Sequence, residues 1–104
     1  MAVKKATTEN FKDVKGAKYA FVDFFATWCA PCSMIAPIVE KVSGDYPQVE
    51  FYKVDIDENM ELADEYHVMS IPTLLLLKDG QPAGEIVGYV PEEELRSIIE
   101  KTFA

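Results

Sequence analysis

Cysteine occurs twice in this chain, in the run Trp28-Cys29-Ala30-Pro31-Cys32. Two thiols with two residues between them can close a disulfide on themselves, which makes the segment a candidate two-electron switch. A helix that opens at Cys29 sets the two Cα atoms roughly 5 Å apart. That lies inside the roughly 4.4–6.8 Å that a disulfide tolerates. At a helix N-terminus the unpaired N–H groups and the dipole favour the thiolate of Cys29, and the thiolate is the nucleophile. Pro31 falls in the first turn, where its missing N–H costs nothing. So short a ring stabilises little, because cross-links gain most by closing long loops. The spacing therefore points to redox chemistry.

Two other readings of the pair stay open on the residues alone. One is half of a zinc site. Structural zinc takes four Cys or His ligands, and beside its two cysteines the chain offers only His67, so such a site must be shared between chains. The other is a pair of inert core thiols, although the flanking Trp, Ala and Pro look more like an exposed turn. No resident metal or cofactor is expected. The acidic cluster of Asp55, Asp57 and Glu58 lacks the spacing and glycine of a calcium loop; it reads as a solvated turn and helix start. His67 reads as a helix-end residue rather than a catalyst.

The elements that must position the cysteines follow from periodicity. A chain of 104 residues is expected to form one domain over residues 1–104, and 49% hydrophobic content is enough for a core. Residues 3–6 are expected as a short strand. Thr7 or Thr8 then caps a short helix with Phe11 and Val14 inward, ended by Gly16. Residues 19–26, YAFVDFFA, form a nearly continuous apolar run, the mark of a strand buried on both faces. In residues 33–43, Ile35, Ile38, Val39 and Val42 trace a helical stripe, with a kink at Pro37. A second long strand at 49–55 and a helix at 58–66 come next. A strand at 73–77, a turn at 78–81 and an edge strand at 83–87 follow, with Pro82 and Glu85 discouraging further pairing. A helix at 92–103 closes the chain, with Leu95, Ile98, Ile99 and Phe103 buried. The order is β-α-β-α-β-α-β-β-α, an α/β fold with a mixed sheet and helices on both faces. Cys29 then sits at the carboxyl end of a strand, where open α/β sheets keep their sites.

Composition narrows the setting. Two cysteines do not make the disulfide scaffold of a small secreted domain. No apolar h-region follows Met1, Ala2, Val3, Lys4 and Lys5, and no apolar run approaches the ~20 residues that span a bilayer. A cytoplasmic, reducing compartment is expected. The formal net charge of −8 disfavours nucleic acid and anionic membranes. It serves solubility, or steering toward a basic partner surface.

The residues resemble the thioredoxin family across nearly the whole chain. The matching pieces are DFFATWCAPC from Asp23 to Cys32, the following helix with Pro37, KVDIDEN from Lys53 to Asn59, SIPT from Ser70 to Thr73, KDG from Lys78 to Gly80, and Val87-Gly88. The resemblance implies the thioredoxin fold, a central mixed five-stranded sheet flanked by four helices. It implies a general protein-disulfide reductase and electron carrier, working by dithiol–disulfide exchange at Cys29 and Cys32. Its partners would be disulfide-containing proteins and a thioredoxin reductase, with the chain itself a monomer. A thiol oxidase or isomerase of the same fold, or a redox-inactive binding subunit, are the rival readings.

The resemblance also implies roles. Cys29, the more exposed sulfur, attacks the substrate disulfide, and Cys32 resolves the mixed disulfide. Asp23, a carboxylate in an apolar strand, is either a solvent-facing residue or a buried acid of raised pKa that takes the Cys32 proton, through a water if need be. Lys53 is either its electrostatic neighbour or a solvated strand-end lysine. Ile71-Pro72 resembles the family's cis-proline loop, which leaves backbone groups free for an extended substrate. Trp28, Ala30, Pro31, Ile56, Ile71, Val87 and Gly88 would rim the disulfide as an apolar docking patch, with Trp28 as a core residue the alternative. The chain departs from the usual Trp-Cys-Gly-Pro-Cys at Ala30, whose methyl group adds bulk and stiffens the turn. Either the reduction potential or the docking of partners is where that change should act. Met69 and Ser70 also differ from many members and read as variation in a partner-facing loop.

Overall fold

The computed structural model describes residues 3–104; Met1 and Ala2 of the N-terminal segment lie outside it. Five strands and four helices alternate along the chain: β1 (Val3–Lys5), α1 (Phe11–Lys15), β2 (Tyr19–Phe25), α2 (Ala30–Ser43), β3 (Glu50–Asp55), α3 (Met60–Glu65), β4 (Thr73–Lys78), β5 (Gln81–Val87) and α4 (Glu92–Thr102). The strands assemble in the order β1-β3-β2-β4-β5. β1 and β2 run parallel to β3, whereas β4 is antiparallel to both β2 and β5. This is the mixed five-stranded sheet with four helices that the element order implies.

Strand alternation divides the core into two layers. Phe21 of β2, Phe51 of β3, and Leu74 and Leu76 of β4 pack on one face, under Ile35, Val39 and Val42 of α2 and Leu95 and Ile99 of α4. Ala20, Val22, Phe24, Val54, Leu75 and Leu77 pack on the other, against Phe11 and Val14 of α1 and Leu62 of α3. β2 is thus paired on both edges and covered on both faces. Its parity also places Asp23 on the same side as Phe21, beneath α2.

Several local expectations are corrected. Neither Thr7 nor Thr8 caps α1; Asn10 holds that position. Instead Thr7 and Asn10 exchange hydrogen bonds, with the Thr7 amide donating to Asn10 Oδ1 at 2.7 Å. Thr8 is tied to Asn59, whose Oδ1 accepts from the Thr8 amide at 3.0 Å. α2 begins at Ala30 behind its Cys29 cap, as expected, three residues before its apolar stripe becomes periodic. β5 is the expected edge strand, but it starts at Gln81 rather than Ala83, with Pro82 opposite Leu77. An edge strand tolerates a proline whose missing N–H is on the open side.

The hairpin between β4 and β5 turns through Asp79 and Gly80, both at positive φ, 52° and 79°. Two such residues make the turn whose twist matches the flanking strands. A Cβ on Gly80 would also lie 2.8 Å from the Lys15 carbonyl oxygen. Gly44 differs, with a φ of −71° and a Cβ position in ordinary contact with Lys41. Gly80→Ala is therefore expected to lower stability by about 1–3 kcal/mol through strain and overlap. Gly44→Ala is expected to raise it by about 0.5 kcal/mol by restricting the unfolded chain. Urea midpoints of the two variants, moving in opposite directions at unchanged slope, check the pair.

Candidate functional site

β2 ends at Phe25, and the chain turns through Ala26, Thr27 and Trp28 into α2. Cys29 is the N-cap of that helix, in extended backbone (φ −93°, ψ 112°), with Pro31 in the first turn. The Cys32 amide donates to Cys29 Sγ at 3.2 Å, so the sulfur takes the place of the usual capping oxygen. Cys29 and Cys32 are joined in a disulfide with Cα atoms 5.3 Å apart, in line with the helical estimate. The pair is thus spaced for dithiol–disulfide exchange.

Both cysteines are buried. Cys29 is only marginally the more open, at 6% against 3% for Cys32; the expected contrast in exposure is slight. Ala26 and the partly buried Phe25, Ile56 and Ile71 pack about them. Ile56 and Ile71 are both half-buried there. Trp28 is 70% exposed, so it is no core residue. Its indole Nε1 donates to Asp57 Oδ2 at 2.8 Å. Asp57, read from sequence as a solvated turn residue, thus positions the Trp28 ring. The signal was present in the KVDIDEN run, but nothing in its spacing connects it to a tryptophan 29 residues away.

The Ile71–Pro72 bond is cis. The Ile71 carbonyl oxygen lies 3.7 Å from Cys29 Sγ, so this loop abuts the disulfide. Pro72 is buried and half-buried Ile71 precedes β4. Among the described residues, Ile71 has no backbone hydrogen bond to another backbone group. The Gly88 amide donates to the Pro72 carbonyl at 2.8 Å, bringing the end of β5 alongside. Gly88 has a φ of 93°, and the space where a Cβ would stand is open. Its glycine is required by the backbone and also leaves room for an approaching chain. Val87 beside it is 58% exposed, and Ala30 and Pro31 are exposed as well.

Asp23 is 5% exposed, and its Oδ1 has no hydrogen-bond partner. The solvent-facing alternative is thereby set aside. Burial raises its pKa to about 7, and the charge of Lys53 draws it partly back. Lys53 stands opposite Asp23 in the parallel β2–β3 ladder, so it is an electrostatic neighbour although its side chain is exposed. Asp23, Lys53, Cys32, Ser33 and Ala36 line one cleft of about 280 Å³. A larger hollow of about 580 Å³, lined by Tyr66, His67 and the start of β5, contains none of the candidate residues; the sulfur chemistry decides which of the two matters. His67 itself ends α3 in a left-handed conformation, φ 55°, as a helix-end residue does. No group of three or more His, Cys, Asp or Glu side chains suited to a metal occurs among the described residues.

The thioredoxin family model matches residues 2–101. A thioredoxin of Staphylococcus saprophyticus is 48% identical over 97% of this chain and 98% of its own length. The chain belongs to the thioredoxin family. A mutant thioredoxin from Halobacterium salinarum superposes with a TM-score of 0.90 at 34% identity, over 98% of this chain and 91% of that one. Plasmodium falciparum thioredoxin gives 0.88 at 35% identity, over 94% and 97% of the two chains. The Cys29–Cys32 pair is accordingly the redox-active centre of a thiol–disulfide oxidoreductase with a thioredoxin fold.

The buried acid carries a pH signature. Its folded pKa of about 7 stands above the ordinary 3.8, so between those values the native state holds a proton that the unfolded chain has released. Stability is lost as pH rises through that window, and the full cost is present above it. Asp23→Asn is expected to stabilise the protein by about 1 kcal/mol at pH 4.5 and about 4 kcal/mol at pH 8. Denaturant melts of wild type and variant at the two pH values check this; a pH-independent difference would mean that the carboxyl is not protonated in the native protein.

Proposed function

We propose that this chain is a cytoplasmic, monomeric, single-domain protein-disulfide reductase. In this reading it needs no bound cofactor and is recharged by a thioredoxin reductase. The observation that carries the proposal is the sharing of one cleft by Cys32 and the protonatable Asp23, directly behind a helix-capping cysteine. No helix among the described residues is long and apolar enough to cross a membrane, which is compatible with that setting.

The disulfide is the oxidised form, and the dithiol is the form that reduces a substrate. The helix N-terminus that donates to Cys29 Sγ favours its thiolate. That thiolate attacks one sulfur of a substrate disulfide. The substrate S–S bond breaks, a mixed disulfide forms, and the leaving thiolate takes up a proton from solvent. Cys32 then loses its proton to the Asp23 carboxylate, through water in the cleft. Its thiolate attacks Cys29 Sγ, the mixed disulfide breaks, and the second substrate thiolate leaves. Two electrons pass to the substrate, and the Cys29–Cys32 bond closes. A carboxyl with a pKa near 7 is matched to this exchange, because it can both accept and release the proton near neutral pH.

Docking follows from the free backbone of Ile71. An extended substrate segment pairs with it as an added strand, lying across Ala30, Pro31, Ile71, Pro72, Val87 and Gly88. The exposed Trp28 ring, held by Asp57, flanks it. The methyl of Ala30 stands on this same exposed surface, so it meets the substrate as well as the sulfurs.

Cys29→Ser is expected to abolish reduction of a protein disulfide such as insulin in the presence of dithiothreitol. Cys32→Ser is expected to accumulate mixed disulfides on Cys29, visible by mass spectrometry; adducts on Cys32 in the Cys29→Ser protein would reverse the roles. Redox titration of the pair separates reductase from oxidase. A midpoint near about −270 mV supports the reductase, and one near about −120 mV would assign the chain to disulfide formation instead.

A further inference from the structure

Methionine ordinarily fills irregular gaps in cores. Here all three methionines among the described residues are exposed: Met34 by 60%, Met60 by 69% and Met69 by 91%. Each is attached to a different part of the disulfide's surroundings. Met34 lies one helical turn beyond Ala30, and both residues are exposed. Met60 is the first residue of α3, three residues after the Asp57 whose carboxylate takes the Trp28 indole. Met69 stands two residues before Ile71, whose carbonyl abuts Cys29 Sγ. Solvation alone gives no reason to expose three unbranched thioethers in a chain where 27% of residues are charged. Nor does the core, which is filled without them.

We infer that Met34, Met60 and Met69 form an oxidisable rim around the docking face, and that their conversion to sulfoxides weakens substrate binding. The inference rests on the extended-substrate reading above and adds a modification to the same site. The oxidant is a peroxide. Its O–O bond breaks as the thioether sulfur takes one oxygen atom. The sulfur is oxidised by two electrons, and hydrogen peroxide is reduced to water. The product is a polar sulfoxide in place of a flexible apolar side chain. An apolar partner surface seated on that rim then has to desolvate three S–O dipoles without compensation. The disulfide itself is spared, because the sulfur chemistry of cysteine oxidation starts from the thiolate. The docking face would lose affinity while the redox centre keeps its potential.

The experiment treats the disulfide form with hydrogen peroxide, removes the oxidant, and maps sulfoxides by peptide mass spectrometry. Insulin reduction is measured before and after treatment, on the wild type and on the triple variant Met34→Leu, Met60→Leu, Met69→Leu. Each protein is compared with its own untreated state. In the wild type, KM is expected to rise by about five-fold, the size of one lost apolar contact, with kcat and the Cys29–Cys32 midpoint potential unchanged. In the triple variant the ratio of KM values should stay near one. Three outcomes overturn the inference: peroxide leaving the three thioethers intact, full sulfoxide formation without a rise in KM, or an equal rise in the triple variant. A fall in kcat with a shifted potential would place the damage at the cysteines and overturn it equally. Failure of the broader reading looks different, since the untreated wild type would then not reduce insulin at all.

Discussion

β2 carries the site because nothing else about it is free to vary. It is hydrogen-bonded to β3 on one edge and β4 on the other, and both its faces are covered by core. A strand so enclosed has to be apolar, and the fold keeps it so except at Asp23. That exception has a defined cost, since one carboxyl oxygen, Oδ1, is buried without a hydrogen-bond partner. The enclosure also fixes where the strand ends. Every ladder contact of β2 helps decide where Cys29 emerges and in what direction α2 departs. The redox centre thus follows a strand paired on both edges and covered on both faces, and the same burial raises the pKa of Asp23.

Much of this is legible in the sequence because burial on both faces leaves a strong mark. The YAFVDFFA run identifies β2 and isolates Asp23 as anomalous before any coordinates exist. The apolar stripe of α2 and the Cys-x-x-Cys spacing do the same for the helix cap. What is not legible is pairing across long sequence separation. The Trp28–Asp57 hydrogen bond joins two loops, and a tryptophan followed by a turn reads equally well as core or as surface. The Asn59 amide tied to Thr8 escapes for the same reason, and with it the correct start of α1. The start of β5 at Gln81 is missed because proline is a breaker only where its N–H is needed, and that depends on which edge of the sheet is open. Near-equal burial of the two cysteines is a property of packing around them, which local sequence does not encode.

The docking side is built on a different principle from the redox side. The cysteines sit in the first turn of α2, whereas the surfaces proposed above for docking include three loop ends: Trp28 before α2, Ile71 before β4, Gly88 after β5. These loops are fastened to one another by single hydrogen bonds, Trp28 to Asp57 and Gly88 to Pro72. The sulfur pair is therefore held by a helix start at the end of a fully paired strand, and the proposed docking loops by short ties.

The β4–β5 hairpin has one irregularity, between Leu76 and Leu77. On the site side of it, Thr73 faces Val87 and Leu76 faces Gly84; on the turn side, Leu77 faces Pro82 and Lys78 faces Gln81. Ala83 is the residue left over. This extra residue acts as a mechanical joint between two halves of one hairpin that answer to different demands. The turn half follows the tight reversal at Asp79 and Gly80, and the site half follows the phase that sets Val87 and Gly88 beside Pro72. With the mismatch absorbed at Ala83, neither half imposes its register on the other. A change of register at the tip, where Gly80 packs against Lys15, is consequently absorbed at Ala83 before it reaches Val87 and Gly88.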